Sequence, residues 1–378
     1  MTLEPTTLQL KKLVLDKGLC TQCGACHNLC PHYLGHGDRT VVFHDCDKTS
    51  GACYEVCPRT PTNLEALRQV MFDPADITAE LGALKGLYIT RASDPSIRGK
   101  AQHGGTVSAL IQFALKEGII EKAVLAGEEE ILLPAGRGFS DPERVVDAAG
   151  SRFVVSPTVA AFNELAREDI ETLGVVATPC QAMALAKMWI SEVSRIHEAS
   201  KKIGLVLGLF CGWAFNWKKL KNLLAEKLEL ETITRMDIPP SRFHSMIVET
   251  RDGRVEISID ELRDCVRPSC NYCFDMTAEF SDISVGSARL PSGWDESRGW
   301  NHLIVRTEKG QKLLEMARDA GCIEFHDVPE ENLDRLKTAA AGKKREAAAR
   351  LAQKSGTPGD LLYVPADDPL LRDCLTIP

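Results

Sequence analysis

Most of the 14 cysteines in this 378-residue sequence fall into three groups whose spacing points to metal chemistry. The tightest is Cys20-Thr-Gln-Cys23-Gly-Ala-Cys26-His-Asn-Leu-Cys30-Pro31, a C-x2-C-x2-C-x3-C-P run. Three thiolates at that spacing wrap a short loop around one cubane iron–sulfur cluster, and Gly24 lets the backbone come close. The fourth thiolate, fixed before a proline, points away and serves a second cluster. Zinc sites pair C-x2-C knuckles across a longer loop, which this run does not resemble. The second group, Cys46-x6-Cys53-x3-Cys57-Pro58, repeats the C-x3-C-P ending but starts irregularly and is one cysteine short. When two such runs exchange their fourth ligands, Cys57 completes the cube of Cys20, Cys23 and Cys26, and Cys30, Cys46 and Cys53 hold another. That other cube lacks an obvious fourth protein ligand. Cys265, a non-cysteine ligand or a three-iron cluster would each resolve it; a single N-terminal cluster with the remaining thiols structural is the alternative.

The third group is Cys180, Cys211, Cys270 and Cys273. The first two each end an apolar run, Leu173-Gly-Val-Val-Ala-Thr-Pro-Cys180 and Ile203-Gly-Leu-Val-Leu-Gly-Leu-Phe-Cys211. Short runs rich in Val, Ile and Leu, bounded by Gly or Pro and followed by helical segments, read as buried strands of a parallel sheet. Ligands bind outside the carboxyl ends of such strands, so both thiols are expected on the functional side. Cys270 and Cys273 follow in a loop-like C-x2-C, and four thiolates close one cubane cluster. On spacing alone, two buried structural cysteines plus an unrelated pair reads equally well.

The elements that must position these thiols alternate strand and helix. Gly86–Ala92 is a strand, and after a polar turn Gly104-Gly105 precede a helix with Val107, Leu110, Ile111, Ala114 and Leu115 on one face. Thr106 is its expected N-cap and Gly118 its stop. Two glycines before a helix amino end leave N–H groups free and no Cβ in the way, a ready phosphate site; an ordinary glycine-rich helix start looks the same. Ala123–Ala126 and Phe153–Val155 read as strands, Ser156-Pro157 opens a helix to about Arg167, and helices follow near 181–198 and 215–228. Residues 233–259 turn to strands with a hairpin at Asp252-Gly253, a loop holds Gly293-Trp294, and 301–310 read as a strand and turn. Residues 329–354 read as an exposed helix with a solvated charged face, and the tail from Gly356 as a loosely held terminus. The expected architecture is an α/β core with a mostly parallel sheet over 86–328. A small ferredoxin-like α+β iron–sulfur domain with its connector precedes it over 1–85, and a C-terminal helix and tail follow over 329–378. With no G-x-G-x-x-G after a strand and no P-loop, neither a Rossmann nicotinamide site nor a nucleotide P-loop is supported.

Composition narrows the class. A hydrophobic content of 44% and a charged content of 26% are ordinary for a soluble globular protein. The net charge of −8 argues against nucleic acid and an anionic membrane surface as partners. The longest apolar stretch, 203–215, is too short to span a bilayer. Met1-Thr-Leu-Glu-Pro5 has no secretory character. Cysteines in number without an export signal favour metal ligation over disulfides, and a cytoplasmic protein is expected.

Taken in order, several stretches resemble the beta-subunit family of coenzyme F420 hydrogenases and dehydrogenases. They are Ala101-Gln-His-Gly-Gly-Thr-Val-Ser-Ala-Leu110, Thr178-Pro-Cys-Gln-Ala182, Gly208-Leu-Phe-Cys-Gly212, Cys270-Asn-Tyr-Cys-Phe-Asp275, Ala278-Glu-Phe-Ser-Asp-Ile-Ser-Val-Gly-Ser287 and the segment from Gly293-Trp294 to Arg306-Thr307. The resemblance runs over about 86–350, and the N-terminal cysteine runs are similar to those of members with an added ferredoxin-like domain. It implies FAD and a four-iron cluster in one core. Cys180, Cys211, Cys270 and Cys273 match the cluster ligands, and Gln102, Gly104, Gly105 and Thr106 the flavin-phosphate stretch. The resemblance also places Gln181, Asp282, Ser284 and Gly286 near the flavin. In the family the flavin converts a two-electron hydride carrier into single electrons for clusters, a division of labour that suits both cofactors. The irregular second cysteine run and an insertion around Asp295–Trp300 depart from the family pattern and leave carrier and partner open.

The combined expectation is a flavin iron–sulfur oxidoreductase subunit with FAD and two or three four-iron clusters. It would exchange electrons between a hydride carrier, coenzyme F420 by resemblance, and a partner subunit of hydrogenase, formate dehydrogenase or heterodisulfide reductase type. No side chain is required as nucleophile or general base. The rivals are an iron–sulfur electron-transfer subunit without flavin, a reductase of an organic substrate on the same core, and a zinc-stapled structural protein. Cys322 and Cys374 read as incidental thiols.

Overall fold

A computed structural model describes residues 6–239, 244–357 and 359–376. Its centre is an eight-stranded sheet built, in chain order, from β1 (Gly86–Ala92), β2 (Lys122–Glu130), β3 (Leu133–Phe139), β4 (Leu173–Ala177), β5 (Ile203–Leu209), β6 (Ile283–Ser287), β7 (Asn301–Val305) and β8 (Ile323–His326). The spatial order is β8-β1-β7-β6-β5-β4-β2-β3. Strands β6, β5, β4 and β2 are parallel neighbours. Strand β1 runs the same way, across the antiparallel β7. Strands β3 and β8 close the two edges antiparallel to their neighbours. The carboxyl ends of β1, β6, β5 and β4 therefore share one edge, as the strand and helix alternation implies.

Helices cover both faces. Along β5 the side chains alternate: Leu205 and Leu207 enter one apolar cluster with Leu110, Ile111, Val285 and Leu313, while Val206 enters another with Phe162, Val175 and Leu185. The helices used below are α1 (Thr106–Lys116), α2 (Pro179–Trp189), α3 (Glu308–Asp319) and α4 (Glu331–Ser355). At the end of β7, Arg306 is fully buried and donates to the carbonyls of Leu81, Ala83 and Thr277, to the Thr277 hydroxyl and to Ser284 Oγ. It ties the sheet to the segments on either side.

Several local expectations change. Thr106 does not cap α1: Gly105 holds the cap position at φ +79°, and the buried Thr106 hydroxyl pairs with Thr90 at 3.0 Å. The segment 153–155 makes only an isolated bridge, from Val154 to Phe215. The helix expected near 181–198 is two, Pro179–Trp189 and Ser194–Ser200. Strand β3, with Pro134, Gly136 and Gly138, lacks a strand-like sequence. Its edge position tolerates the proline, and a Cβ at Gly136 would come within 2.8 Å of Thr158 Cα in the helix packed on it. The Asp252-Gly253 hairpin joins Ser245–Thr250 to Gly253–Ser258 as expected.

The N-terminal segment packs with both other parts of the chain. Leu10, Val14, Leu19 and Tyr33 share a cluster with Ala348 and Leu351 of α4 and with Leu361, Tyr363, Val364 and Leu371 of the tail. The tail is thus not loosely held; Asp368 in it takes both guanidinium nitrogens of Arg68, the closer at 2.6 Å. Nor is α4 simply an exposed helix, since Ala340, Ala341, Lys344, Ala347 and Leu351 are buried. On the other side, a Cβ at Gly24 would lie 2.8 Å from Ala160 N and 2.9 Å from Pro157 Cβ. That glycine lets the first cysteine loop seat against the helix Thr158–Leu165, where Asn163 donates to the carbonyls of Ala25 and His27.

Candidate iron–sulfur and cofactor site

The core thiols are set by the ends of β4 and β5. After β4, Thr178 and Gln181 form a capping box that starts α2, with Thr178 N–H donating to Gln181 Oε1 at 2.8 Å. Cys180 sits in that first turn, its Sγ 3.4 Å from the Thr178 hydroxyl. After β5, Cys211 N–H donates to Met276 O at 2.9 Å, and Lys343 donates to Cys211 O at 3.0 Å. Cys270 and Cys273 lie on and just after the turn Pro268–Tyr272, and Ala214 N–H donates to Cys270 Sγ at 3.4 Å. Burial pushes the Cys211 thiol up, Lys343 opposes, and Cys270, Cys180 and Cys273 each push further. Burial likewise raises Cys180, followed by the charge of Cys273. Cys180, Cys211 and Cys270 thus resist ionisation, chiefly through burial, and a bound cationic iron core would reverse that balance. The set fits a cluster.

The N-terminal thiols form two further groups. Burial raises Cys26, and Cys20, Cys23, Cys57 and then Cys53 add to it. Cys57 is pushed up to about 11 by burial against the opposing charges of Lys187 and Arg59. Cys23 is raised by burial and next by Cys180, so this group adjoins the core group. Cys53, pushed up to about 11, is raised by burial and next by Cys30, with Cys46 also acting on it. The buried Tyr33 feels thiols of both N-terminal groups. The charges that act on one another thus sort the thiols into Cys180/Cys211/Cys270/Cys273, Cys20/Cys23/Cys26/Cys57 and Cys30/Cys46/Cys53, with Cys180 acting on Cys23 and Cys53 on Cys26 across the groups. Among the described residues, no three His, Cys, Asp or Glu side chains are arranged to hold a single metal ion. Ligands of a cube each take a separate corner and stand further apart than ligands of one ion.

Two buried cations line the seam between the first two groups. Lys187 donates to the carbonyls of Cys57 and Thr60 and to the Thr60 hydroxyl. Arg59 donates to Tyr272 O at 2.8 Å and Ser269 O at 3.2 Å and stacks on Tyr363. Both would offset the negative charge of thiolate-bound clusters held there.

At the carboxyl edge of β1 lies a cavity of about 370 Å³ lined by Arg91, Arg98, Gln102, His103, Arg235, Asp295, Arg298 and Gly299. Gln102 bonds Asp237 through Nε2 and accepts from Ser151 N–H at 3.2 Å, while Arg235 donates to Gln102 O at 2.9 Å. Gly104 lies against its rim, close to Arg91 and Gly299. Four guanidinium groups around one cavity suit a phosphate-bearing ligand. His103 is held down to about 4 by burial and by Arg289, Arg235 and Arg298, so its ring is neutral near pH 7. Its Nδ1 is buried without a partner, and its Nε2 lies 3.4 Å from Ser287 Oγ. Next to Ser287, Gly286 packs so closely that a Cβ would lie 2.1 Å from the ring of Phe210, the neighbour of Cys211. His103, Ser287, Gly286 and Phe210 thus form a chain of contacts from the cavity toward Cys211.

The structure brings Gln102, Gly104, Gly105 and Gly286 to this edge and moves three expected flavin residues elsewhere. Gln181 is buried in its capping box and donates to Ser156 O. Asp282 stands at the amino end of β6, opposite Cys211, because β6 and β5 are parallel. Its carboxylate accepts from Val206 N–H and Thr307 Oγ1, both at 2.8 Å. Ser284 accepts from Arg306. These three hold the scaffold. Cys265 is also removed from consideration as a fourth ligand: it is buried with Phe215, Leu220 and Leu262, and the charges acting on it are Lys219 and Asp264. The arginines were not legible in the sequence, being contributed by three separate segments, 91–98, 235 and 298; Arg298 comes from the insertion around 295–300.

Two family models match consecutive parts of the chain: the N-terminal part of the coenzyme F420 hydrogenase/dehydrogenase beta subunit over 87–163, and its C terminus over 170–331. The coenzyme F420 hydrogenase subunit beta of Methanothermobacter thermautotrophicus is 33% identical, over 72% of this chain and 96% of its own. The chain belongs to this family of oxidoreductase subunits. A subunit of the F(420)H(2) dehydrogenase of Methanosarcina mazei is 29% identical over 85% of this chain and 88% of its own. The coenzyme F420-dependent sulfite reductase of Methanocaldococcus jannaschii is 26% identical over 86% of this chain and 50% of its own. A chain of the F420-reducing [NiFe] hydrogenase complex from Methanosarcina barkeri has the same fold, with a TM-score of 0.67 and 26% identity, covering 75% of this chain and 94% of that one.

Proposed function

We propose that this chain is an electron-transfer subunit that binds FAD in the arginine-lined cavity and exchanges electrons between coenzyme F420 and a partner subunit through three iron–sulfur clusters. What supports this reading is a chain of contacts: the cavity residue His103 faces Ser287, its neighbour Gly286 packs on Phe210, Phe210 adjoins Cys211 in sequence, and Cys180 acts on Cys23 of the N-terminal segment. When bound, FAD supplies the exchange of a hydride for single electrons. Arg91, Arg98, Arg235 and Arg298 neutralise its phosphates, and Gly104 and Gly105 give the backbone room to approach. His103 offers an uncharged hydrogen-bonding ring atom. Cys180, Cys211, Cys270 and Cys273 hold the first cluster, Cys20, Cys23, Cys26 and Cys57 the inner one, and Cys30, Cys46 and Cys53 the distal one. In this division residues 1–85 carry the exit clusters, 86–328 the flavin and first cluster, and 329–378 a strap across the N-terminal segment. A partner of hydrogenase, formate dehydrogenase or heterodisulfide reductase type receives the electrons. Among the described residues no helix is long and apolar enough to cross a membrane.

The test uses anaerobically purified full chain, reduced coenzyme F420 and a one-electron viologen dye. Dye reduction should require F420, stop when flavin is stripped, and return with added FAD. A protein that retains its iron but neither binds FAD nor oxidises the carrier would be an electron conduit only.

A further inference from the structure

We infer that the distal site is a three-thiolate site whose fourth corner is open, so that its cluster carries one exchangeable iron and converts reversibly between four-iron and three-iron forms. This rests on the reading that the N-terminal thiols hold iron–sulfur clusters. Counting back from Cys57-Pro58 in the C-x2-C-x2-C-x3-C-P register places thiolates at positions 53, 50 and 47. The chain has Cys53, Ser50 and Asp47 there, with Cys46 one residue early.

The structure gives Cys46 a fixed place. Its N–H donates to Thr7 Oγ1 at 3.1 Å, and the neighbouring Thr6 bonds Lys48 O through both N–H (2.8 Å) and hydroxyl (3.1 Å). Lys48 N–H in turn donates to Cys46 Sγ at 3.5 Å. Cys46 therefore serves for position 47, and Ser50 marks the unfilled corner. Residues 43–50 are exposed except for the half-buried Cys46, so that corner faces solvent. No cysteine remains to fill it: Cys265 lies in a separate apolar cluster, Cys322 Sγ faces Ala320 O, and Cys374 is buried near Lys344 and Glu279. The inner site contrasts in having four cysteines, Cys20, Cys23, Cys26 and Cys57, for its four corners.

An iron held by sulfides and one small solvent-derived ligand, hydroxide or a free thiolate, leaves readily. Loss of one ferrous ion to a chelator and one electron to ferricyanide turns a [4Fe–4S]2+ core into [3Fe–4S]+. One ferrous ion and one electron from dithionite reverse the change.

The experiment is electron paramagnetic resonance on anaerobically purified full chain treated with ferricyanide and EDTA, then with ferrous ion and dithionite. The expected result is about one three-iron signal per chain, lost on reconstitution, absent in Cys53→Ser and suppressed in Ser50→Cys. Two results would overturn the inference: no three-iron signal while every iron is retained, or a signal that persists in Cys53→Ser. Conversion in Ser50→Cys equal to wild type would overturn the assignment of the open corner. A chain that binds no iron at all would sink the underlying reading instead.

Discussion

Replacing Gly104 with alanine probes the proposed flavin cradle at its narrowest point. The added methyl would lie 2.8 Å from Asn301 Oδ1, 3.0 Å from Arg91 Cβ and 3.1 Å from Gly299 O, inside the range of ordinary contact. None of these neighbours yields easily. Arg91 is held by Glu324 at 2.6 and 2.7 Å and lies 4.2 Å over the Trp300 ring. Gly299 O is backbone. Asn301 accepts from Thr106 N–H at 3.3 Å and donates to Gly286 O at 3.1 Å, so moving it uncaps α1 and loosens the strand beside Phe210. Overpacking of this kind costs about 1–3 kcal/mol. Shifting the glycine loop toward the cavity relieves it at the expense of the phosphates. At 1.4 kcal/mol per tenfold, FAD should be held about 5- to 150-fold more weakly. The assay is FAD per chain against free FAD concentration, read by fluorescence after denaturation, with iron measured on the same samples. Iron should stay at the wild-type level because no thiol is touched. FAD affinity within twofold of wild type would refute the placement of the flavin phosphates at this loop.

Other outcomes follow from single residues. Arg306→Met strands the carbonyls of Leu81, Ala83 and Thr277 in the core and should cost at least about 3 kcal/mol. A thermal unfolding midpoint equal to wild type would show that the hub is dispensable. His302 is held down to about 4 from 6.5 by burial and Arg289, with Nε2 facing Asn332. The folded state thus binds fewer protons than the unfolded one between those values, and this contribution to stability is complete above pH 6.5 and declines toward pH 4. His302→Gln should flatten the fall of unfolding free energy in that window, and an unchanged slope would count against it. Cys180→Ser should lose about four irons, and Cys265→Ser none; equal losses would break the ligand assignment.

Local chemistry was legible in the sequence wherever spacing alone encodes it. The cysteine runs, the strands ending at Ala177 and Leu209, the Asp252-Gly253 hairpin and the glycine pair before α1 all depend on neighbours within a few residues. What depends on remote partners was not. Arg91, Arg98, Arg235 and Arg298 converge on one cavity from segments with no shared pattern. Asp282 and Ser284 sit in a stretch that matches the family, yet strand direction puts them at the wrong end of β6 for ligand contact. The tail has prolines and little periodicity, but Leu361, Tyr363, Val364 and Leu371 find apolar partners more than 300 residues away in the N-terminal segment. Gly24 serves helix docking as well as loop geometry, a need set by Ala160 and invisible in the run itself.

The most direct test of the central claim is the iron, acid-labile sulfide, zinc and FAD content of anaerobically purified full-length protein. The protein should carry about one FAD with about eleven to twelve irons per chain, matched by sulfide and without zinc. Iron without flavin would reduce the chain to an electron conduit, and zinc in place of iron would contradict the account outright.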